Sequence, residues 1–155
     1  MSGPREFFKQ MVGGRILKFY EDGVTASVGV VENPELLDLN GQKPLSIFIN
    51  GKSDSSTFVD IYTLKLSAHL PAILATQRRN VMVIGLGTRV TAGELTLYPD
   101  VERIDVAEIS GTVVQALPHF SQATHYVQEN PKLRFHIGDA FRILGRTKSQ
   151  WDIIN

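Results

Sequence analysis

The first third of the chain alternates apolar and polar positions in short runs. "RILKFY", "VTASVGVVEN" and "LSIFIN" are rich in β-branched and aromatic residues, with an Asp-Gly pair after the first run and an Asn-Gly pair after the last. Such pairs between apolar runs favour tight hairpin turns. The pattern predicts a small antiparallel β unit over residues 15–58. Residues 1–14, with three glycines and a proline, are interpreted as a leader or loose segment.

Beyond residue 59 the apolar period lengthens and then alternates between helix and strand. Residues 60–76 present a mainly helical apolar face, and Pro71 inside them is expected to kink or split that helix. The apolar runs "VMVIG", "RIDVAEI", "LRFHIG" and "WDII" follow, separated by segments of helical pattern. Strands that alternate with helices form parallel sheets. An α/β fold is therefore predicted, with part of a Rossmann-like sheet over residues 59–155.

The fourth apolar run reaches the end of the sequence at Asn155. Parallel sheets need both faces and both edges covered, and four strands are few for such a sheet. Either a second copy of the chain covers the open edge, or the sequence is a fragment of a longer protein. We favour the fragment.

Composition narrows the classes of function. Sixteen basic and sixteen acidic side chains cancel, so neither nucleic acid nor an anionic membrane is an expected partner. Cysteine is absent, which excludes disulfides and thiolate chemistry and fits a cytoplasmic location. His119, His125 and His136 have no metal-ligand spacing, so we expect no metal.

Three strand ends carry the candidate chemistry. Gly85 and Gly87 follow the first strand of the Rossmann-like part, where glycine lets the backbone turn tightly and approach a ligand. Glu108 ends the next strand and suits the hydroxyl groups of a ribose, although a solvated glutamate is the alternative. Asp139 ends the third, either beside an adenine amino group or as a helix cap. A nicotinamide cofactor fits less well, because Val90 replaces the last glycine of that fingerprint.

These residues lie in an ordered series that resembles the spermidine synthase family, aminopropyltransferases built on the S-adenosylmethionine-dependent methyltransferase fold. "YEDGVTASVGVVEN" and "FINGKSDSST" resemble the first hairpin of the family and its second strand and turn. "YTLKLSAHLP", "VMVIGLGT", "VERIDVAEI", "NPKLRFHIGDAF" and "WDII" are similar to its later segments in the same order. The resemblance implies a β-hairpin unit followed by the first half of a methyltransferase-type parallel sheet.

The resemblance also implies roles for particular residues. Gly85, Gly87 and Thr88 would shape the turn that holds the co-substrate, decarboxylated S-adenosylmethionine or S-adenosylmethionine itself. Glu108 would hold its ribose, with Asp139 and Ala140 beside the adenine. His69 would face the cleft for a small-molecule amine, and Tyr62 is a further candidate to line that cleft. A homodimer is the expected assembly.

Several positions depart from the pattern of the family. The catalytic aspartate of the family would lie beyond Asn155, and its acidic residue within the glycine motif is Thr88 here. Ala26 and Lys65 replace a glutamine and a glutamate, and Arg89 replaces a glycine. The Arg89 guanidinium could repel a sulfonium, swing out to solvent, or pair with the carboxylate of S-adenosylmethionine.

The function expected from the resemblance is transfer of an aminopropyl group from decarboxylated S-adenosylmethionine to an amine such as putrescine. Two alternatives stay open at this point. One is a non-catalytic, dimeric remnant or ligand-binding module. The other is a methyltransferase that uses S-adenosylmethionine and an unknown acceptor.

Overall fold

The computed structural model describes residues 4–38, 40–121, 124 and 129–155 and contains two four-stranded sheets. The first sheet is antiparallel, with strand order β1-β2-β3-β4. Its strands are β1 (Ile16–Asp22), β2 (Ser27–Glu32), β3 (Leu45–Ile49) and β4 (Lys52–Ser56). The antiparallel unit predicted from the apolar pattern is therefore present. Its fourth strand, "KSDSS", was not predicted, because a polar strand carries no apolar alternation.

The turn between β3 and β4 follows the Asn-Gly prediction. Asn50 and Gly51 have φ angles of 50° and 79°. Two consecutive residues in the left-handed region are what a tight hairpin turn requires, and asparagine and glycine tolerate that region best. The turn brings the polar strand β4 back beside β3.

Residues 4–11 differ from the loose segment expected for residues 1–14. They form helix α1 (Pro4–Met11), which packs on the first sheet through Phe8. The Phe8 ring lies 5.3 Å from the ring of Tyr20 and 5.6 Å from that of Phe48. Gly29 makes room for it, since a Cβ there would lie 2.4 Å from the ring. Burial of one aromatic ring in this gap holds a segment whose own composition predicts no order.

The second sheet is parallel, as predicted, with strand order β7-β6-β5-β8. Its strands are β5 (Asn80–Ile84), β6 (Arg103–Glu108), β7 (Leu133–Ile137) and β8 (Ile153–Ile154). The helices are α2 (Ile61–Leu74), α3 (Val90–Leu95), α4 (Gly111–Ala116), extended by a short 3-10 helix at Leu117–Phe120, and α5 (Ala140–Arg146). In the part of the chain that the structure describes, no helix is both long enough and apolar enough to cross a membrane.

Pro71 does not split α2, which runs unbroken through it. A proline inside a helix leaves the carbonyl four residues earlier without its usual N–H donor. Here that carbonyl belongs to Ser67, and it accepts a hydrogen bond of 2.9 Å from the side-chain amide of Asn155. The group that proline frees is therefore used to hold α2 against the end of β8.

One apolar core joins the two sheets. Val28, Val30 and Ile47 of the first sheet belong to the same buried cluster as Val83 and Val106 of the second. Because the core is shared, the first sheet is held against the Rossmann-like part rather than tethered to it. This packing places β4 next to the carboxyl ends of β5 and β6.

The other face of the parallel sheet carries a polar cluster around Asp105. Its carboxylate accepts hydrogen bonds from Trp151 Nε1 at 2.7 Å and from His136 Nε2 at 2.9 Å, and pairs with Arg103 at 2.9 Å. Burial alone raises the pKa of Asp105. These hydrogen bonds and the nearby positive charges outweigh burial, so the pKa lies below its usual value. The cluster ties β7 and the segment before β8 to β6.

Candidate functional site

A cavity of about 560 Å³ opens at the carboxyl ends of β5 and β6. The turn after β5, the residues that end β6 and the hairpin of β3 and β4 all contribute to its wall. The strand order reverses beside β5, with β6 on one side and β8 on the other. A crevice at such a reversal is where open α/β sheets bind their ligands. The sequence predicted a ligand site at this edge, and the structure has a cavity there.

The glycine turn is held against the first sheet by direct contact. Gly85 and Gly87 have φ angles of 87° and 49°, a region that favours glycine. A Cβ on Gly87 would lie 3.0 Å from the hydroxyl oxygen of Ser55, which also accepts a hydrogen bond of 3.2 Å from the Thr88 amide. Both glycines and Thr88 line the cavity. Gly87 is thus needed for its conformation and for the close approach of β4.

Glu108 also lines the cavity and is 8% exposed. Its two carboxylate oxygens accept hydrogen bonds from the Leu86 amide at 2.9 Å and the Ser110 amide at 2.8 Å. Each carboxylate oxygen can accept a further hydrogen bond. Glu108 therefore fastens the turn after β5 to the end of β6 and keeps acceptor capacity for a ligand.

Asp139 lies at a second, adjoining cavity of about 570 Å³. Its carboxylate caps α5, accepting a hydrogen bond of 2.8 Å from the Phe141 amide. Ile109 lines both cavities, so the two spaces adjoin at this residue. Ala140 begins α5 and lines neither. The three strand ends thus form two neighbouring spaces instead of the single cradle that the sequence suggested, and the adenine role of Asp139 and Ala140 stays a prediction.

Removal of the Asp139 cap gives a first testable expectation. Asp139→Ala is expected to lower the free energy of unfolding by about 1 kcal/mol, the usual cost of losing a helix cap. Asp139→Asn should retain most of that stability, because its amide oxygen still accepts from the Phe141 amide. Urea denaturation followed by circular dichroism measures both. Wild-type stability of Asp139→Ala would show that the cap contributes nothing.

Arg89 takes none of the orientations considered from the sequence. Its side chain is 1% exposed and is not part of the cavity wall. Nη2 donates a hydrogen bond of 3.3 Å to the Thr124 hydroxyl, and burial lowers the pKa of Arg89 to about 10. The guanidinium therefore points into the protein beside α3, away from the cavity. Its backbone φ of 64° still favours the glycine that it replaces.

Substitution of Arg89 should accordingly change stability more than ligand binding. We expect Arg89→Gly to shift the dissociation constant of an adenosyl ligand less than threefold. Arg89→Ala removes the same side chain but keeps a Cβ in the left-handed region, so it should be about 1 kcal/mol less stable than Arg89→Gly. Calorimetric titration and thermal unfolding check the two statements. A tenfold gain in affinity would instead place the guanidinium at the ligand.

His69 and Tyr62 do not line the cavity. The two ring nitrogens of His69 form hydrogen bonds with the Tyr98 hydroxyl at 2.8 Å and with the Glu94 carboxylate at 3.1 Å. Both lie on the side of α2 that packs on α3. Lys65 pairs with the same carboxylate at 3.1 Å. Tyr62 is 68% exposed. Helix α2 reaches the cavity through other residues, and the substrate-binding roles of His69 and Tyr62 stay predictions.

The histidines considered for metal binding lie in separate places. His119 packs beside the ring of Phe19 at 5.6 Å, whereas His136 bonds Asp105 on the parallel sheet. His125 falls outside the described residues. Within the described ranges, no three His, Cys, Asp or Glu side chains come together as metal ligands would.

Apart from Ala26, which the family pattern singles out, the sequence did not point to the contribution of the first sheet. Asn50, Asp54 and Ser55 of the β3–β4 hairpin line the cavity together with Thr25 and Ala26. Among the described residues of the wall, the charged side chains are the carboxylates of Asp54 and Glu108, and none is lysine, arginine or histidine. A polar strand next to a predicted glycine turn was the available signal. The wall suits a ligand with positive charge.

The fold and the cavity define the class: an antiparallel β unit joined to a Rossmann-like sheet with a cavity at its strand ends. The family model for the spermine/spermidine synthase domain matches residues 60–155. The chain belongs to that family.

The chain is similar to curated relatives over part of its length. It is 36% identical over 87 residues to the polyamine aminopropyltransferase of Nitrosomonas europaea, a match that covers 56% of this chain and 27% of that protein. It is 32% identical over 94 residues to polyamine aminopropyltransferase 1 of Pseudomonas aeruginosa, which covers 58% and 32%. The matches thus span a third or less of these relatives.

Solved structures show the same fold. The spermidine synthase of Thermotoga maritima superposes with a TM-score of 0.76 at 20% identity, covering 89% of this chain and 46% of that one. A spermidine synthase in complex with the transition state analogue AdoDATO gives the same score, with 45% of its chain covered. A probable spermidine synthase from Corynebacterium glutamicum gives 0.60 at 17% identity, covering 88% and 50%.

Proposed function

We propose that the protein binds decarboxylated S-adenosylmethionine and serves the transfer of its aminopropyl group to a small amine such as putrescine. The observation that carries the proposal is the cavity at the ends of β5 and β6, where the two charged side chains among the described wall residues are both carboxylates. Family membership over residues 60–155 supports the same class of chemistry.

The charge of the wall fits the charge of the donor. Decarboxylated S-adenosylmethionine has a sulfonium and a terminal ammonium but no carboxylate, so it is a cation. A cavity with two carboxylates and no basic side chain in its described wall attracts cations and disfavours anionic ligands. Glu108 retains acceptor capacity for the ribose hydroxyls of such a ligand.

The reaction makes modest demands on the protein. The amine nitrogen forms a bond to the propyl carbon next to sulfur, the carbon–sulfur bond breaks, and methylthioadenosine leaves with the electron pair. A base accepts the proton that the amine releases. The protein must hold donor and amine in line and keep the amine unprotonated. The described residues of the cavity wall would serve the first task by fixing the adenosyl group.

Calorimetric titration with two ligands tests the proposal. Decarboxylated S-adenosylmethionine is expected to bind the chain at least tenfold more tightly than S-adenosylmethionine, because the carboxylate of the latter would face an acidic wall. Tighter binding of S-adenosylmethionine would contradict the proposal and favour a methyltransferase. Absence of binding to both would favour a non-catalytic module.

Two partners belong to the same proposal. A small-molecule amine is the expected acceptor, and a second copy of the chain is the expected partner. Sedimentation velocity measures the second directly, and a monomer at all concentrations would remove the homodimer from the proposal.

A further inference from the structure

We propose that Asp54 selects the donor, by binding its terminal ammonium from the antiparallel sheet in place of an acidic residue in the glycine turn. The inference rests on the proposed function and names the group that would decide its ligand. It arises from three features of the structure: an irregularity in β4, the position of the carboxylate, and the neutral side chain at Thr88.

The irregularity is a β-bulge centred on Asp54. Ser55 pairs with Ile47 and Ser53 pairs with Phe48, so the pairing register between β3 and β4 passes over Asp54. A bulge inserts one extra residue and turns its side chain out of the regular alternation, and bulges of this kind are frequent beside active sites. In this protein the extra residue is an aspartate at the edge of the cavity.

The carboxylate of Asp54 lies next to the glycine turn. One of its oxygens, Oδ2, is 3.6 Å from the point that a Cβ on Gly87 would occupy. The neighbouring Ser55 hydroxyl accepts the hydrogen bond from the Thr88 amide, which fixes β4 against the turn. Asp54 is therefore held close to the turn by the contact that its neighbour Ser55 makes.

The two carboxylates of the cavity wall, Asp54 and Glu108, differ in burial and in hydrogen bonding. Glu108 is buried and accepts hydrogen bonds from two backbone amides, which commits it to joining the strand ends. Asp54 is exposed on the cavity wall. A carboxylate on an open wall is available to accept charge-assisted hydrogen bonds from an ammonium group.

The side chain of Thr88 is neutral, so a negative charge near the turn has to come from another residue such as Asp54. A hydroxyl there cannot neutralise an ammonium, whereas a carboxylate reaching the same turn from β4 can. Asp54 would also repel the carboxylate of S-adenosylmethionine, so one residue accounts for both attraction of the decarboxylated donor and rejection of its precursor.

The test compares Asp54→Asn with a matched control. Asparagine keeps the shape and removes the charge at an exposed position, and circular dichroism checks that the variant is folded. Glu35→Gln removes one charge from an exposed site of the same N-terminal part, outside the cavity wall. Titrations use the whole chain with decarboxylated S-adenosylmethionine, with S-adenosylmethionine, and with 1,3-diaminopropane followed by NMR.

We expect Asp54→Asn to weaken the decarboxylated donor by about tenfold and to bring its affinity level with that of S-adenosylmethionine. Glu35→Gln should leave both affinities within twofold. If Asp54→Asn keeps the preference of the wild type, Asp54 is not the selecting group, while the proposed function stands.

Titration with diaminopropane distinguishes the proposed function from ammonium binding by Asp54 in the case where no adenosyl ligand binds. Suppose the wild type binds neither adenosyl ligand: the proposed function is then wrong. If diaminopropane still shifts the signals of the cavity residues and Asp54→Asn abolishes that shift, ammonium binding by Asp54 is supported. If diaminopropane also leaves the spectrum unchanged, this inference is overturned as well.

Discussion

Gly87→Ala is expected to weaken binding of decarboxylated S-adenosylmethionine by about 100-fold, since an ångström-scale shift of a positioning turn has effects of this order. The added Cβ would lie 3.0 Å from the Ser55 hydroxyl oxygen and would occupy a φ of 49°. The turn must then move away from β4, and the hydrogen bond between the Thr88 amide and Ser55 is lost. Calorimetric titration measures the affinity.

Gly41→Ala is the control for Gly87→Ala. Gly41 has a φ of 73°, and a Cβ there would meet nothing within 4 Å. It therefore introduces left-handed strain of about 1 kcal/mol without any collision. Ligand affinity should be unchanged in this control. Equal losses of affinity in both variants would mean that backbone strain, and not the contact between turn and β4, is responsible.

Glu108→Gln is expected to have a comparable effect for a different reason. The glutamine side chain has one carbonyl oxygen, whereas Glu108 accepts from the Leu86 and Ser110 amides with two oxygens. One amide would face an NH₂ group, at a cost of about 1–3 kcal/mol in unfolding free energy. The ribose contacts proposed for Glu108 would weaken too, so we expect about 100-fold lower affinity for the proposed adenosyl ligand.

Chemical denaturation and titration together distinguish the two contributions in Glu108→Gln. Glu102→Gln provides the comparison, because Glu102 stands just before β6, is largely exposed, and pairs only loosely with Arg79 at 3.7 Å. Both its stability and its affinity should remain close to wild type. Wild-type affinity in Glu108→Gln would show that Glu108 joins the strand ends without touching a ligand.

The sequence predicted the two-part fold because its elements follow local rules. Alternating apolar runs, the Asn-Gly turn and the helix-strand alternation after residue 59 each depend on neighbouring residues alone. The positions of Gly85, Gly87 and Glu108 at one edge followed, since the carboxyl ends of parallel strands share an edge. Their convergence on one cavity is the part of the site that sequence reasoning reached.

What the sequence missed depends on contacts between distant segments. The packing of α1 on the first sheet depends on the gap that Gly29 leaves for the Phe8 ring, and no local sequence pattern predicts this contact. The burial of Arg89 depends on packing beside Thr124. The entry of Asp54 into the cavity wall depends on a register shift in β4, which a polar pentapeptide does not reveal. Each is decided by tertiary structure, which overrides local preference.

The hydrogen bond from the Thr88 amide to Ser55 crosses between two sheets that are far apart in sequence. A ligand that stabilises the turn must therefore also stabilise the β3–β4 hairpin, because binding to the native form alone shifts every opening equilibrium that breaks this contact. Slower amide hydrogen exchange in β3 and β4 after addition of a ligand would show that the cavity is occupied. Protection of the β3–β4 hairpin from exchange would then measure whether the cavity is occupied.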